Sequence, residues 1–520
     1  MASTIIEVAL VDETQSLPGK DVSTTTVTEL QSVSNTAVAS SPTSAPTNAQ
    51  LDLTPPLLPV EQIGPKGWVR SIFHFELPDN YDVDHLTSLL KTAYNAMKAR
   101  TPIAGCEVVP LDAKQGGLLQ LRHYGDEIDD FLAKDLRADE SFPSFAELKA
   151  QGFPSSALDP AIVCRRGLGG EWPKAGDRLN VTWMQANFIK GGLLLNMLFL
   201  HAYADGTTAY KFTEILAEEL RAAQGLPIDS PAEVPWKDRA KIMKSTGLNA
   251  GRPEDHAEYI ELPFSPPGPP PKLASPIHHG HVFYFSPESL TALKAEASPA
   301  NVKLFKGREG IPSFVSTNDA LTALIWRATM SAQHASKLRP IEEDPTPSPS
   351  IMGVALDARR RAGVPIHKHT LGNVLGFAAA VLDIREVVSE GSLADLAICV
   401  RRAVAKTEGT YLDDLTALVE RLEDVTRLAP TMFLDMPGNH MLQSSWREFP
   451  FYDIEWGTAF GDRMLALRPP AVGVCHTMQI VLPDPQKGGI EVFVGVENDA
   501  MATLLADPLW RKYAQAPEGL

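Results

Sequence analysis

Several features that define particular protein classes are missing from this sequence of 520 residues. Its four cysteines, Cys106, Cys164, Cys399 and Cys475, lie far apart and form no C-x-x-C pair. This spacing predicts reduced thiols in an intracellular protein and argues against a disulfide framework. No apolar run approaches the roughly 20 residues that a membrane-spanning helix needs, so no membrane partner is expected.

Sequence motifs of several common site types are also absent. No P-loop and no G-x-S-x-G nucleophile elbow occurs, which argues against a P-loop enzyme and against a serine hydrolase. The glycine run at 167–170 lacks the G-x-G-x-x-G spacing of a dinucleotide site and is predicted to be a loop. The histidine clusters at 278–281 and 367–369 lack a cysteine or acidic partner at ligand spacing, so no metal is expected.

Positive charge is scarce. The net charge of −17 argues against a nucleic-acid partner, because phosphate binding depends on lysine and arginine, although a local basic pocket for a phosphorylated cofactor stays possible. The N-terminus, MASTIIEVALVDE, carries early acidic residues and no basic flank, which is a poor match to a secretory signal. The expected location is therefore the cytoplasm.

The composition divides the chain into four segments. Residues 1–50 are rich in Ser, Thr, Ala and Pro without apolar periodicity, which predicts a disordered leader. The proline-rich segment at 262–280 can form neither a helix nor a central strand, and it is the predicted crossover between domains. The two domains are predicted at residues 51–261 and 281–520 of a monomer.

Helical and strand patterns alternate irregularly along both predicted domains. RLNVTWMQANFI and GLLLNMLFL are β-rich and are joined at 190–192 by Lys-Gly-Gly, a hairpin signal, and helical spacing follows from Thr207 to Ala223. VSTNDALTALIWRATMSAQHA predicts a long helix that is capped near Thr317 or Asn318. Hairpins beside long connections predict an α/β protein with mixed sheets.

The strongest chemical signal is a histidine at the end of the apolar run LLLNMLFL. His201 follows this run, and Asp205 and Gly206 come behind it. A neutral imidazole that faces a cleft can take a proton from a hydroxyl or amine nucleophile. Asp205 could orient the ring or pair with a distant arginine, and Gly206 could allow a sharp turn before the next helix. Taken alone, a single buried histidine more often satisfies a strand end than acts as a base.

The stretch HAYADG resembles the H-x-x-x-D-G motif of the BAHD acyltransferases, which use coenzyme A, and of the related chloramphenicol acetyltransferases and condensation domains. Four further matches follow in the family's order: STNDALTALIWRA, LDARRR with LGNVLG, SSWREFPFYDIEWG, and GGIEVFVGVENDAMATLLADPLW. The resemblance covers roughly residues 51–515 and is greatest to fungal members that acylate secondary metabolites, such as the trichothecene acetyltransferases.

The resemblance implies a fold and a reaction. The fold is two chloramphenicol-acetyltransferase-like domains, each a mixed β-sheet flanked by helices, with an active-site tunnel at their interface. The protein would be an acyltransferase that transfers groups other than aminoacyl groups, with acyl-CoA, expected to be acetyl-CoA, as co-substrate and no bound cofactor. His201 would take the hydroxyl proton as the oxygen attacks the thioester, and would then pass it to the leaving thiolate.

The resemblance also assigns roles to other residues. Ser444, two positions before Trp446, matches a hydroxyl that donates to the oxyanion of the tetrahedral intermediate. Asp205 is expected to turn away from substrate and to pair across the domain interface with Arg359, which stands 14 positions before Asn373. The alternative is that Asp205 only caps the helix after it.

Two parts of the family pattern are less well matched. The D-F-G-W-G motif is degraded, and its best register places Glu455, Trp456 and Gly457 on the first three positions. The family's equivalent segment is structural. Coenzyme phosphates need cations or a helix N-terminus. NVKLFKGREG offers Lys303, Lys306 and Arg308 as the expected ligands, unless it is an ordinary solvated loop, and CVRRAVAK is predicted to be the exposed face of a helix.

The predicted function is acyl-CoA-dependent O-acylation, with acetylation of a hydroxyl of a fungal secondary metabolite as the expected reaction. One alternative is N-acylation or amide-forming condensation with the same histidine and a carrier-protein donor. The other is a non-catalytic or pericyclase-like protein that keeps the tunnel alone. The intact His201 and Asp205 argue against this second alternative.

Overall fold

The computed structural model describes residues 55–516, apart from 125–129, 167–175, 229, 236, 269–277, 335–337, 339–342, 344–345, 472–477 and 485–487. All described residues belong to one compact unit, which begins at Asp52. The predicted leader at 1–50, the glycine run at 167–170, Cys475 and part of the predicted crossover lie outside the described residues.

The helices of the described chain range from 4 to 18 residues. They are α1 (Pro59–Gln62), α2 (Val83–Arg100), α3 (Phe145–Ala150), α4 (Pro160–Val163), α5 (Gly206–Ala223), α6 (Pro287–Glu296), α7 (Thr317–His334), α8 (Leu393–Lys406), α9 (Tyr411–Arg421), α10 (Asn498–Ala506) and α11 (Pro508–Tyr513). Among the described residues, none of them is both long and apolar enough to cross a lipid bilayer.

The strands form two large sheets and two small ones. They are β1 (Trp68–Glu76), β2 (Cys106–Pro110), β3 (Leu119–His123), β4 (Phe131–Asp135), β5 (Leu179–Asn180), β6 (Thr182–Ile189), β7 (Gly192–Leu200), β8 (Tyr259–Glu261), β9 (His278–Phe285), β10 (Pro349–Asp357), β11 (Leu375–Asp383), β12 (Leu428–Pro430), β13 (Met441–Ser445), β14 (Ala466–Arg468), β15 (Gln479–Val481) and β16 (Ile490–Glu497).

The first large sheet has the strand order β14-β1-β7-β6-β4. Strands β6 and β7 form the hairpin that the sequence predicted, and Gly191 takes a positive φ of 73° in its turn. All nine residues of β7 are buried, and the strand is central: it pairs with β1 along its full length and with β6 from Gly192 to Phe199. This sheet therefore holds the end of β7, where His201 follows, in a fixed position.

The second large sheet has the order β11-β10-β13-β15-β16-β9 and mixes parallel and antiparallel pairs. Helices α7 and α8 share one hydrophobic core with its strands, to which Trp326, Leu396 and Val492 belong. The indole N–H of Trp326 donates to the hydroxyl of Ser350 at 2.8 Å, so the only polar atom of this buried side chain is satisfied. The predicted α/β fold with mixed sheets is confirmed.

The two halves of the chain are interleaved. Strand β14 comes from the second half of the chain, yet it pairs with β1 in the first sheet. Arg468 at its end forms a buried ion pair at 3.2 Å with Glu491 on β16 of the second sheet. The division into domains at 51–261 and 281–520 stays a prediction.

Several predicted boundaries shift by a few residues. Helix α7 is capped by Ser316 and not by Thr317 or Asn318: its hydroxyl accepts from the Asp319 amide at 3.1 Å, and Asp319 accepts from the Ser316 amide at 2.7 Å. Strand β11 begins only at Leu375, within the LGNVLG match, because the residues before it form a turn whose backbone contacts other segments.

Candidate active site

A cavity of about 730 Å³ lies between the two large sheets. Its wall is more apolar than polar, and strands from both sheets contribute aromatic rings to it, among them Trp68, Phe73 and Phe377. His201 and Ser444 both line this cavity. A cleft of this size and polarity suits a small organic ligand that is oriented by a few polar groups.

His201 is fixed by backbone contacts at the end of β7. Its amide donates to the carbonyl of Gly67 at 2.8 Å. Burial lowers the pKa of the imidazole from its ordinary value, and the nearby Asp205 charge offsets this only in part. The ring is therefore neutral at pH 7, which is the form that can accept a proton.

Asp205 makes both of the contacts that were considered as alternatives. Its Oδ1 accepts from the Thr208 amide at 3.0 Å and so caps α5, while its Oδ2 accepts from Arg359 Nη1 at 2.6 Å. Oδ2 also accepts from the Val374 amide at 3.0 Å. Among the described residues, none of the carboxylate's hydrogen bonds goes to the His201 ring. The carboxylate thus holds the loop rather than the imidazole.

Arg359 also donates to the turn at residues 370–374. Its Nε donates to the Thr370 carbonyl at 2.9 Å, and its Nη2 donates to the Gly372 carbonyl at 2.9 Å. The hydroxyl of Thr208, from the first turn of α5, lies 2.8 Å from the Gly372 carbonyl and 2.9 Å from its amide. The loop after His201 is consequently bound to this turn by Arg359 through Asp205 and by Thr208 at the start of α5.

Asn373 connects the same turn to the histidine. Its side-chain amide donates to the His201 carbonyl at 2.5 Å and lies 3.5 Å from the ring Nδ1. Asn373 is buried and does not line the cavity. Asn373 therefore restricts the orientation of the imidazole from a position outside the cavity wall.

Gly206 is the first residue of α5. Its φ is not positive, so this position does not use the left-handed backbone region that favours glycine. A Cβ at this position would lie 2.5 Å from Cε2 of Phe449, whose ring lines the cavity. The glycine therefore allows Phe449 to pack against the start of α5.

Ser444 lies on β13, which runs parallel to both of its neighbours, β10 and β15. Its side chain is half-buried on the cavity wall. Trp446 follows and also lines the cavity, and its amide donates to the Val481 carbonyl at 2.8 Å. One cavity is thus lined by His201, which follows β7 of the first large sheet, and by Ser444 and Trp446, which lie on and just after β13 of the second.

The segment with Glu455 and Gly457 lies away from this cavity. Glu455 forms an ion pair with Arg221 at the end of α5. Gly457 has a φ of 85°, and the neighbouring Trp456 is fully buried with its ring 5.0 Å from that of Phe75. These contacts attach the segment to the first sheet, in keeping with a structural role.

The basic loop predicted to bind coenzyme phosphates does not line the cavity. The side chains of Lys303, Lys306 and Arg308 are exposed, and none of them is on the cavity wall. The loop is instead held by Asp395, which accepts from the Lys303 amide at 3.0 Å. The assignment of coenzyme phosphates to this loop stays a prediction.

Other arginines line the cavity in its place. Arg360 and Arg361 follow Arg359 at the end of β10, and Arg401 comes from α8, in the segment predicted to be merely exposed. Arg401 lies 3.4 Å from Asp319, and its guanidinium is 5.6 Å from the ring centre of Phe314. These three residues bring positive charge to the cavity wall.

Metal ligands are not assembled in the parts of the chain that the structure describes. No group of three or more His, Cys, Asp or Glu residues there could hold a metal ion. His367 and His369 contact each other ring to ring at 5.6 Å. The side chains of the first two histidines of the 278–281 cluster lie outside the described residues.

Sequence reasoning missed a second buried ion pair next to the histidine. Arg239 and Glu61 are 178 positions apart and are joined by two hydrogen bonds, at 2.6 and 2.9 Å. Neither lies in a recognisable motif, and α1, which carries Glu61, has only four residues, too few for a periodic signal. No sequence pattern could have joined them.

Family models match most of the chain. One described as "Transferase family" matches residues 176–508, and one described as "Trichothecene 3-O-acetyltransferase-like N-terminal domain" matches residues 68–219.

Two curated proteins illustrate the similarity. An enoyl-CoA isomerase/hydratase of Penicillium crustosum is 27% identical over 88% of this chain, and the chain spans only 51% of that protein. An eremophilane O-acetyltransferase of Penicillium rubens is 27% identical over 73% of this chain and 80% of that protein.

The fold is also found in a solved structure. F. graminearum TRI101, complexed with coenzyme A and deoxynivalenol, is 21% identical, with a TM-score of 0.70 over 89% of this chain and 99% of that one. The overall fold of this chain is therefore that of an acyltransferase with mixed sheets.

Proposed function

The chain belongs to the Transferase family, which makes it an acyl-CoA-dependent acyltransferase, and we propose that it acylates a hydroxyl of a fungal secondary metabolite. Acetyl-CoA is the proposed donor, because curated relatives of this chain are named O-acetyltransferases. The proposed acceptor is a terpenoid, polyketide or alkaloid alcohol.

The observation that carries this proposal is the shared cavity of His201 and Ser444. In the proposed reaction, the neutral imidazole takes the proton of the acceptor hydroxyl while the oxygen attacks the thioester carbonyl. A C–O bond forms, and the resulting oxyanion accepts a hydrogen bond from the Ser444 hydroxyl. The C–S bond then breaks, and His201 returns the proton to the departing sulfur, so coenzyme A leaves as the thiol.

Asp205 and Arg359 act on this reaction indirectly in the proposal. Their buried pair holds the loop behind His201, and Asn373 holds the histidine's own carbonyl. Neither Arg359 nor Asn373 lines the cavity. Both are accordingly proposed as positioning residues and not as catalytic ones.

The cavity wall supports a predominantly neutral acceptor. Phe73, Phe377 and Phe433 contribute aromatic surface to it, alongside Leu442 and Val481. Burying an uncharged carbon skeleton against such a wall is favourable. We favour O-acylation over N-acylation because curated relatives of this chain are named O-acetyltransferases.

The arginines on the cavity wall support free coenzyme A as donor. Arg360, Arg361 and Arg401 are proposed to contact its phosphates, since guanidinium groups bind phosphate oxygens well. Lys303, Lys306 and Arg308 lie off the wall, so the three arginines are proposed in preference to them. A monomer in the cytoplasm is proposed, and the thiols of the described Cys106 and Cys399 are in keeping with that compartment.

The test is a transfer assay with product masses. Purified protein is incubated with acetyl-, malonyl- or longer acyl-CoA and with a panel of terpenoid, polyketide and alkaloid alcohols and matched amines. The proposal expects one acetyl group on an alcohol together with release of free coenzyme A. Acylation of amines alone, or transfer only from a pantetheine-loaded carrier protein, would overturn it.

A further inference from the structure

We propose that the buried pair of Glu61 and Arg239 is a second positioning device for His201, acting through the turn at 370–374. This rests on the proposed function, in which His201 is the general base. The two residues come from helix α1 and from the short 3-10 helix Lys237–Ile242, and neither lines the cavity.

The pair is fully desolvated and has two-point geometry. Arg239 Nη1 lies 2.6 Å from Glu61 Oε1, and Nη2 lies 2.9 Å from Oε2. Glu61 is 0% exposed and Arg239 is 8% exposed. Two parallel hydrogen bonds between planar groups leave little rotational freedom, so each side chain fixes the other.

Both partners also hold the turn directly. Arg239 Nη1 donates to the Leu371 carbonyl at 3.0 Å, and Glu61 Oε1 accepts from the Asn373 amide at 3.0 Å. A Cβ at Gly372 would lie 2.1 Å from Arg239 Nη1 and 2.4 Å from Glu61 Oε1. The turn passes this close to the pair because Gly372 has no side chain, and its φ of 132° also favours glycine.

The turn transmits this position to the histidine. The backbone amide of Asn373 is held by Glu61, while its side chain donates to the His201 carbonyl at 2.5 Å. A Cβ at Gly64 would lie only 2.7 Å from Asn373 Nδ2, so the chain after α1 also packs on this side chain. A displacement of the Asn373 backbone therefore moves the support behind the imidazole.

Arg239 has a second contact with the histidine's loop. Its guanidinium carbon lies 5.1 Å from the ring centre of Tyr203, which stands between His201 and Asp205. Tyr203 is fully buried. The turn is thus held from one side by Arg359 with Asp205 and from the other by Arg239 with Glu61.

The test compares Glu61→Gln with a matched control, Glu491→Gln. Glu491 also forms a buried pair with an arginine, Arg468, and it is not among the residues that line the cavity. We expect Glu61→Gln to lower kcat by about 10–100-fold, with KM for both substrates changed less than about threefold. Glu491→Gln should lower the melting temperature about as much as Glu61→Gln does, but its kcat should stay within about twofold of the wild-type value.

A double variant separates positioning from general stability. If Glu61 acts through Asn373, then Glu61→Gln should add little to the kcat loss of Asn373→Ala, because both changes remove the same support. Multiplicative losses in the double variant, or equal kcat in Glu61→Gln and Glu491→Gln, would overturn the proposal. Should Glu61→Gln fail to fold, Arg239→Lys is compared in its place, with the same expectations.

A readout without turnover keeps this proposal distinct from the proposed function. Diethyl pyrocarbonate modifies neutral imidazoles, and peptide mass spectrometry gives its rate at His201 in each variant. We expect the rate to change by more than about threefold in Glu61→Gln and to stay unchanged in Glu491→Gln. Equal rates in both variants would overturn the positioning role, even if the wild type transferred no acyl group at all.

Discussion

Arg359 donates to both carboxylate oxygens of Asp205, at 2.6 and 3.2 Å, and so joins the loop after His201 to the turn at 370–374. Both side chains are buried, with exposures of 3% and 5%. Because Asp205 also accepts from the Thr208 amide, one carboxylate fixes the start of α5 and the turn together. The geometry behind His201 depends on this pair.

The pair's contribution to stability can be measured by Asp205→Asn. The amide oxygen can still cap α5, but Arg359 loses its buried counter-charge. We expect the free energy of unfolding to fall by about 3–5 kcal/mol in urea denaturation. Asp357→Asn is the control, because its more exposed carboxylate contacts the same arginine at 2.9 Å and should change stability by less than about 1 kcal/mol. Equal stability of the two variants would exclude this role for Asp205.

The oxyanion role of Ser444 predicts a loss confined to the chemical step. Ser444→Ala should lower kcat by about 100-fold or more and leave KM and the melting temperature nearly unchanged. Ser444→Thr keeps a hydroxyl at the same place on β13 and should recover a large part of the rate. A rate for Ser444→Thr as low as that for Ser444→Ala, or no loss in either, would contradict this role.

The phosphate ligands can be tested by changing one arginine on the cavity wall and one lysine off it. Arg401→Ala should raise KM for acetyl-CoA by about tenfold, since a charge-assisted hydrogen bond is lost, and leave KM for the acceptor unchanged. Lys306→Ala should leave both KM values unchanged. The reverse outcome would return the phosphate site to the loop at 303–308.

The His256 cluster predicts a pH-dependent part of the stability. His256 lies 3.0 Å from Glu258 and 3.3 Å from Asp414. Burial alone would lower the pKa of His256, but Glu258 and Asp414 outweigh it and raise the pKa above its ordinary value. The stabilisation should be complete below about pH 6.5, the unfolded pKa, and should be lost as pH rises through the folded pKa.

The corresponding variant is His256→Gln, with urea denaturation at pH 6 and pH 9. Relative to the wild type, we expect the variant to lose about 1–2 kcal/mol more at the lower pH, because only there is the imidazolium bound to the two carboxylates. The same loss at both pH values would show that His256 contributes by packing alone.

Local sequence signals predicted the elements that carry the site. The apolar run before His201 forms β7, the segment with helical periodicity after it forms α5, and the predicted Lys-Gly-Gly turn joins β6 and β7 in a hairpin. Each of these signals lies within about 20 consecutive residues, where hydrophobic period and turn chemistry act directly. Such signals were sufficient to place His201 and Asp205 at a strand end and a helix start.

Contacts between distant segments could not be predicted in the same way. Gly206 packs against Phe449, and Glu61 forms an ion pair with Arg239. No sequence pattern near either residue indicates these contacts. The basic loop at 303–308 has the charge of a phosphate site, but none of its three cations lines the cavity, and Asp395 accepts a hydrogen bond from its backbone. The charge of a segment therefore does not indicate which of its cations line the cavity.

The most direct test of the account is the turnover rate of His201→Ala with acetyl-CoA and an accepted alcohol. Removing the general base should lower kcat by about 100–10,000-fold, with KM for acetyl-CoA little changed. His369→Ala, which alters a histidine off the cavity wall, is the control and should retain the wild-type rate. A His201→Ala protein that turns over within about twofold of the wild type would contradict the account.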